Sequence, residues 1–169
     1  MKKMDLSLCL VLFLVLLAGC GGGTSNPKPL PVNKAIEISA NLKPGFANIS
    51  SAITAIEVSF ALPANVSPVL DNNGALDISE IGLKSLNPNG SIQLGSYIGN
   101  TVHFILLPND VAITDLGLGG IARLTYVTTS GAEPTSSSIQ PVFKVSGPNS
   151  RDITSQIEPS VSIVTYQKP

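Results

Sequence analysis

From residue 35 onward, hydrophobic and polar residues alternate with period two through much of the chain. Residues 35–42 place Ile36, Ile38, Ala40 and Leu42 on one side and Glu37, Ser39 and Asn41 on the other. That pattern predicts a half-buried strand. Pro44-Gly45 turns the chain, and a second strand is predicted over residues 53–62. Its second half is the clearest alternation present: Ile56, Val58, Phe60 and Leu62 against Glu57, Ser59 and Ala61. Pro63 ends this strand and Pro68 breaks the next stretch, because proline cannot donate to a sheet ladder. Val69-Leu70 predicts a short strand ahead of the polar turn Asp71-Asn72-Asn73-Gly74. Residues 78–86 admit two readings. Asp77 with Glu80 three residues later has the spacing that opens a short helix, and an irregular strand fits equally.

Asn87-Pro88-Asn89-Gly90 is a strong turn signal. Residues 91–98 and 101–107 flank Gly99-Asn100, a hairpin turn. Residues 102–107 are apolar except for His103, which predicts a strand running through the centre of a sheet. A loop over 108–120 leads to a strand over 121–128. A polar stretch over 130–138 comes next, then a strand over 139–146 interrupted by Pro141. Gly147-Pro148-Asn149 turns, and residues 161–166 close the domain. Eight or nine short strands separated by turn signals argue for an all-β sandwich.

The pattern before residue 35 is different. Met1-Lys2-Lys3 is basic, and residues 6–17 are apolar almost without interruption. The run is too short to span a bilayer, which takes about 20 residues. Small residues come at once in Leu17-Ala18-Gly19-Cys20. The order matches a secretory signal peptide, and these four residues resemble the lipobox of bacterial lipoproteins. The resemblance implies cleavage after residue 19 and lipidation of Cys20. Two or more acyl chains anchor a protein stably to a membrane. Gly21, rather than aspartate, after the cysteine favours the outer membrane in a Gram-negative cell. Residues 20–34 are then a flexible Gly/Pro tether, and residues 35–169 the sandwich.

Composition narrows the function classes. Charged residues are 12% of the chain and the net charge is −1, so no basic patch points to nucleic acid. The chain has two cysteines. Cys9 leaves with the signal and a lipidated Cys20 has no thiol, so core packing must hold the domain without a disulfide.

Residues 56–66, Ile-Glu-Val-Ser-Phe-Ala-Leu-Pro-Ala-Asn-Val, resemble the early strand and proline-containing loop of cohesin domains. Residues 120–127, Gly-Ile-Ala-Arg-Leu-Thr-Tyr-Val, resemble a later cohesin strand, and residues 139–153 its final hairpin. The resemblance implies a nine-stranded jelly roll without catalytic activity that binds a dockerin-like module through a sheet face. A related carbohydrate-binding module, recognising envelope polysaccharide, is the alternative. An envelope hydrolase is the third.

Several residues are candidates for chemistry. His103 is the single histidine, and no nucleophile-elbow pattern surrounds it, so a packed or half-exposed strand histidine is expected. One histidine and no free cysteine argue against zinc. Residues 69–80 have a calcium-loop spacing, with Asp71, Asn73, Asp77 and Glu80 as candidate ligands around Gly74. Val69 stands where the first anionic ligand belongs, and the competing reading is an Asx turn plus a helix cap. Gly117-Leu118-Gly119-Gly120-Ile121-Ala122 fits a dinucleotide-binding pattern, but strand formers occupy the positions where a helix is required. Asp110 with Asp115, and Asp77 with Glu80, are the carboxylate pairs a glycosidase would need. The chain has no tryptophan, so Tyr97 and Tyr126, with Tyr166, are the candidate sugar platforms.

Overall fold

The computed structural model describes residues 32–129 and 131–167. The signal sequence, Cys20 and nearly all of the tether lie outside the described residues. Among the described residues nine strands form: β1 (Val32–Leu42), β2 (Ala55–Ala61), β3 (Val66–Pro68), β4 (Leu83–Ser85), β5 (Gly90–Ile98), β6 (Thr101–Pro108), β7 (Gly119–Thr128), β8 (Val142–Ser146) and β9 (Ile157–Gln167). They make two antiparallel sheets. One has the order β3-β7-β1-β9, with β4 also pairing with β7, and the other the order β5-β6-β2-β8. The domain is an all-β sandwich.

Period-two alternation builds the core directly. Ile36, Ile38 and Ala40 from β1 join Ile56, Val58 and Phe60 from β2, Val102, Phe104 and Leu106 from β6, and Ile121, Leu124 and Tyr126 from β7. Each fully buried aliphatic or aromatic side chain contributes about 1.5–3 kcal/mol against the entropy of ordering the chain. β6 lies between β5 and β2, the central position its apolar run predicts.

Four expectations are corrected. β1 starts at Val32 rather than Ala35. The short strand predicted at Val69-Leu70 forms instead over Val66–Pro68, and Leu70 makes only an isolated bridge to Leu76. Pro68 is tolerated there because β3 is an edge strand whose outer side needs no donor. Neither the helix nor the longer strand expected over 78–86 forms; turns lead into β4, three residues long. β8 begins after Pro141 rather than at Ile139, whose side chain is nonetheless buried.

The two ends of the sandwich differ. Val32 pairs with Gln167. At this end Leu62 N–H donates to the Asn100 carbonyl at 2.8 Å and Thr129 N–H to that of Asn65 at 3.0 Å. At the opposite end, loops 43–54, 86–89, 109–118 and 147–156 are laced together. Asp115 Oδ1 accepts from Ile53 N–H at 2.8 Å and Gly117 N–H at 2.9 Å. Gln156 Oε1 accepts from Ser50 N–H at 2.7 Å, and Asn87 Nδ2 donates to the Leu116 carbonyl at 2.9 Å.

Candidate functional site

The outer face of the β5-β6-β2-β8 sheet carries an unusual side-chain set. The ladder registers place Leu94, Ile105, Glu57 and Lys144 side by side across four strands. The adjacent row is Ser96, His103, Ser59 and Val142, and the next is Ile98, Thr101 and Ala61. Leu94, Ile98 and Val142 are 63%, 76% and 69% exposed. Singly, exposed hydrophobics need no explanation, whereas several on one regular face mark a candidate interaction surface.

Strand geometry explains how Leu94 comes to be outside. In the sequence, Ile92 and Leu94 share a parity and should face the same side. A bulge between them shifts the register, so Ile92 packs toward the core while Leu94 points to solvent. Bulges re-aim side chains in this way. The signal that could have revealed it is the interrupted alternation, since Gly95 and Tyr97 then take the inward positions opposite Phe104 and Val102.

At the centre of this face, His103 Nε2 lies 3.0 Å from Glu57 Oε1, both side chains half-exposed. Ser59 and Ser96 flank His103 on the neighbouring strands. Glu57 occupies the nitrogen a nucleophilic serine would need, so the arrangement is not that of a Ser-His-carboxylate triad. His103 is the half-exposed strand histidine the sequence predicts, with a carboxylate partner that only the fold reveals.

The calcium-loop candidates are used otherwise. Asp71 Oδ1 accepts from Asn73 N–H at 2.8 Å and Ala75 N–H at 2.9 Å, an Asx turn closed on itself. Glu80 is ion-paired with Lys84. The described residues contain no group of three His, Cys, Asp or Glu side chains able to hold a metal ion. Asp71 makes the Asx turn of the competing reading, whereas no helix follows Asp77 for it to cap. A shallow depression of about 420 Å³ between β4 and β5 is lined by Ile78, Glu80, Leu83, Lys84, Ser91 and Ile92.

The carboxylate pair Asp110 and Asp115 likewise serves the backbone. Asp110 Oδ1 accepts from Ala112 N–H at 2.8 Å, and Asp115 ties the loop to Ile53. Gly117 and Gly119 have φ of 70° and 119° and lead into β7 rather than a helix. The glycines thus turn the loop into the strand, and the dinucleotide pattern is coincidental.

The tyrosine platforms are corrected as well. Tyr126 is 3% exposed, and Tyr97 packs against the core. Tyr166 is half-buried, on the outer face of the other sheet. Arg123 stacks 4.6 Å from its centroid, and Thr125 Oγ1 lies 2.6 Å from its hydroxyl. Glu37 Oε1 accepts from Arg123 Nε and Nη2 at 2.8 and 2.6 Å. With its hydroxyl bonded and one ring face covered, Tyr166 is built into a surface network.

Tyr126 has a structural task instead. Its hydroxyl donates to Glu133 at 2.9 Å, and Glu133 is also ion-paired with Lys34, clamping the 131–135 segment against β1 and β7. Burial, reinforced by Glu133, pushes the Tyr126 hydroxyl from 10.0 up to about 12. Hydrogen bonds from Lys34 and Tyr126 hold the Glu133 carboxyl below its ordinary value. A lowered carboxylate stabilises the fold above its ordinary range, and that share is lost as pH falls through the lowered value. The raised tyrosine acts oppositely: its share is complete below about pH 10 and lost as pH rises through about 12. In melting curves against pH, Glu133→Gln flattens the acid flank relative to the parent, and Tyr126→Phe flattens the flank between about pH 10 and 12.

Comparison with family models, curated proteins and solved structures finds no match to this chain.

Proposed function

We propose that this chain is a non-catalytic, lipid-anchored protein of the cell envelope whose cohesin-like sandwich binds a partner protein through the outer face of the β5-β6-β2-β8 sheet. The observation that carries the reading is the exposure of Leu94, Ile98 and Val142 on one regular face, on the edge strands β5 and β8, with Glu57 and His103 on β2 and β6 between them. The exposed apolar side chains supply anchors for a partner, and the polar pair between them fixes its register. Two of the three segments that resemble cohesins support it by position: residues 56–66 cover most of β2 and the turn into β3, and residues 139–153 include β8, although β8 pairs with β2 rather than in a hairpin with β9, and residues 120–127 lie in β7 of the other sheet. Lipidation at Cys20 would tether the domain through the chain that leads into Val32. The alternative of polysaccharide binding lacks a free aromatic platform at Tyr97 or Tyr126.

The test is capture from envelope extract with the full chain as bait. One protein is recovered in stoichiometric amount, and Leu94→Asp with Ile98→Asp lowers recovery at least tenfold without lowering the melting temperature. In the same cells, Cys20→Ala releases the chain from the membrane fraction. Recovery unaffected by the paired aspartates removes the face from the proposal. Retention on insoluble polysaccharide without a protein partner overturns the reading in favour of the carbohydrate-binding alternative.

A further inference from the structure

The sheet edges are unequal. β3 and β4 are three residues each, and β3 ends in Pro68. β5 is interrupted by its bulge, and β8 is five residues long. Short strands, prolines and bulges are the devices by which sheets avoid pairing with other chains. β9 has one of these, the outward-facing Pro159 at its third position, and none from Ser160 to Gln167. It runs eleven residues, pairs with β1 residue for residue without a register shift, and carries one charged residue, Glu158, near its start. Among the described residues no strand lies beyond it.

The ladder shows which backbone groups are unpaired. Lys43 N–H donates to the Gln156 carbonyl at 2.8 Å, one step beyond the Leu42–Ile157 pair. Backbone groups of an antiparallel strand alternate sides, so Gln156, Glu158, Ser160, Ser162 and Val164 bond toward β1. Val161, Ile163 and Thr165 turn both N–H and C=O outward. Pro159 belongs to this outward set, where a missing N–H costs the β1 ladder nothing. The nearby helical turn Ser136–Ser138 makes its backbone hydrogen bonds within residues 135–139, and among the described residues no backbone group bonds to the outward groups of β9. Val161 and Ile163 are also only partly buried where they pack against the core.

We propose that β9 pairs antiparallel with β9 of a second copy of this chain, about a two-fold axis at Ile163. The strand is complementary to itself. In that register Ile163 meets Ile163, and Val161 meets Thr165, three β-branched residues suited to a sheet. Glu158 falls outside the paired centre, so no like charges oppose one another. The added strand extends the sheet over the margins of Val161 and Ile163, and the two-fold closes the assembly at a dimer. The surface is separate from the β5-β6-β2-β8 face, and the inference does not depend on that proposal.

The experiment uses the full chain in detergent, its protein mass measured by sedimentation equilibrium with the detergent density-matched. The expected result is a dimer at micromolar concentration. Val161→Pro removes one outward N–H and spares the β1 ladder, so it gives a monomer with an unchanged melting temperature. Should that variant unfold, Ile163→Cys decides: mild oxidation yields a disulfide-linked dimer that the parent does not form, since paired residues on the axis lie within the roughly 4.4–6.8 Å Cα separation a disulfide spans. A monomeric parent, a dimer that persists in folded Val161→Pro, or absence of cross-linking through Ile163→Cys overturns the proposal.

Discussion

Phe104→Ala lowers the unfolding free energy by about 3–5 kcal/mol, read from urea denaturation at fixed pH. Phe104 is fully buried on β6, flanked in the ladder by Val58 on β2 and Gly95 on β5. Removing the ring empties the middle of the interlayer, and the antiparallel neighbours on both sides prevent β6 from collapsing into the space. A domain of this size has about 5–15 kcal/mol in all, so the loss is a fifth or more of its stability. The thermal midpoint drops on the order of 10–20 °C. Nothing covalent compensates, because both cysteines, Cys9 and Cys20, precede the sandwich. A cost below about 1 kcal/mol would mean that the interlayer repacks freely, contrary to a core of this density.

Gly82→Ala destabilises by about 1–3 kcal/mol or more, and here the direction matters as much as the size. Were residues 78–86 helical, alanine would gain up to about 1 kcal/mol over glycine. In the fold, a Cβ at position 82 would stand 2.1 Å from the Asp77 carbonyl oxygen. That oxygen accepts from Leu83 N–H at 2.6 Å, and the Gly82 carbonyl accepts from Thr125 N–H at 3.0 Å. The clash is with backbone on one side and β7 holds the other, so the turn cannot move away without giving up its hydrogen bonds. The same denaturation experiment on this variant separates the two local structures by sign.

These two positions also show what the sequence makes legible. Phe104 is placed correctly by pattern because β6 has an apolar run and its turn, Gly99-Asn100, has its own chemistry. Period two is a property of each strand alone, so it survives without knowledge of neighbours. Residues 78–86 mislead because Asp77 and Glu80 have the spacing of a cap but are committed to other partners, Asp77 through its carbonyl and Glu80 through Lys84. Pro68 reads as a breaker because only the sheet order makes β3 an edge. Tyr126 reads as a platform because its hydroxyl suits a surface; its partner Glu133 reaches it from a loop that no periodicity describes. The candidate face is half legible. His103 and the outward set of β2 emerge from alternation, whereas Leu94 requires the bulge, and the His103–Glu57 contact requires the β2–β6 register.

The Val32–Gln167 pair sets how the domain responds to force. Both ends of the β1–β9 ladder's last rung lie together, so a pull between them runs across the strands rather than along them. The hydrogen bonds then bear load one at a time from that rung inward, and the ladder peels. A pull between Val32 and Ile157, at the far end of β9, would instead load the same ladder in shear, with many bonds bearing force at once. The ladder is thus weak to a pull across its strands and strong to one along them.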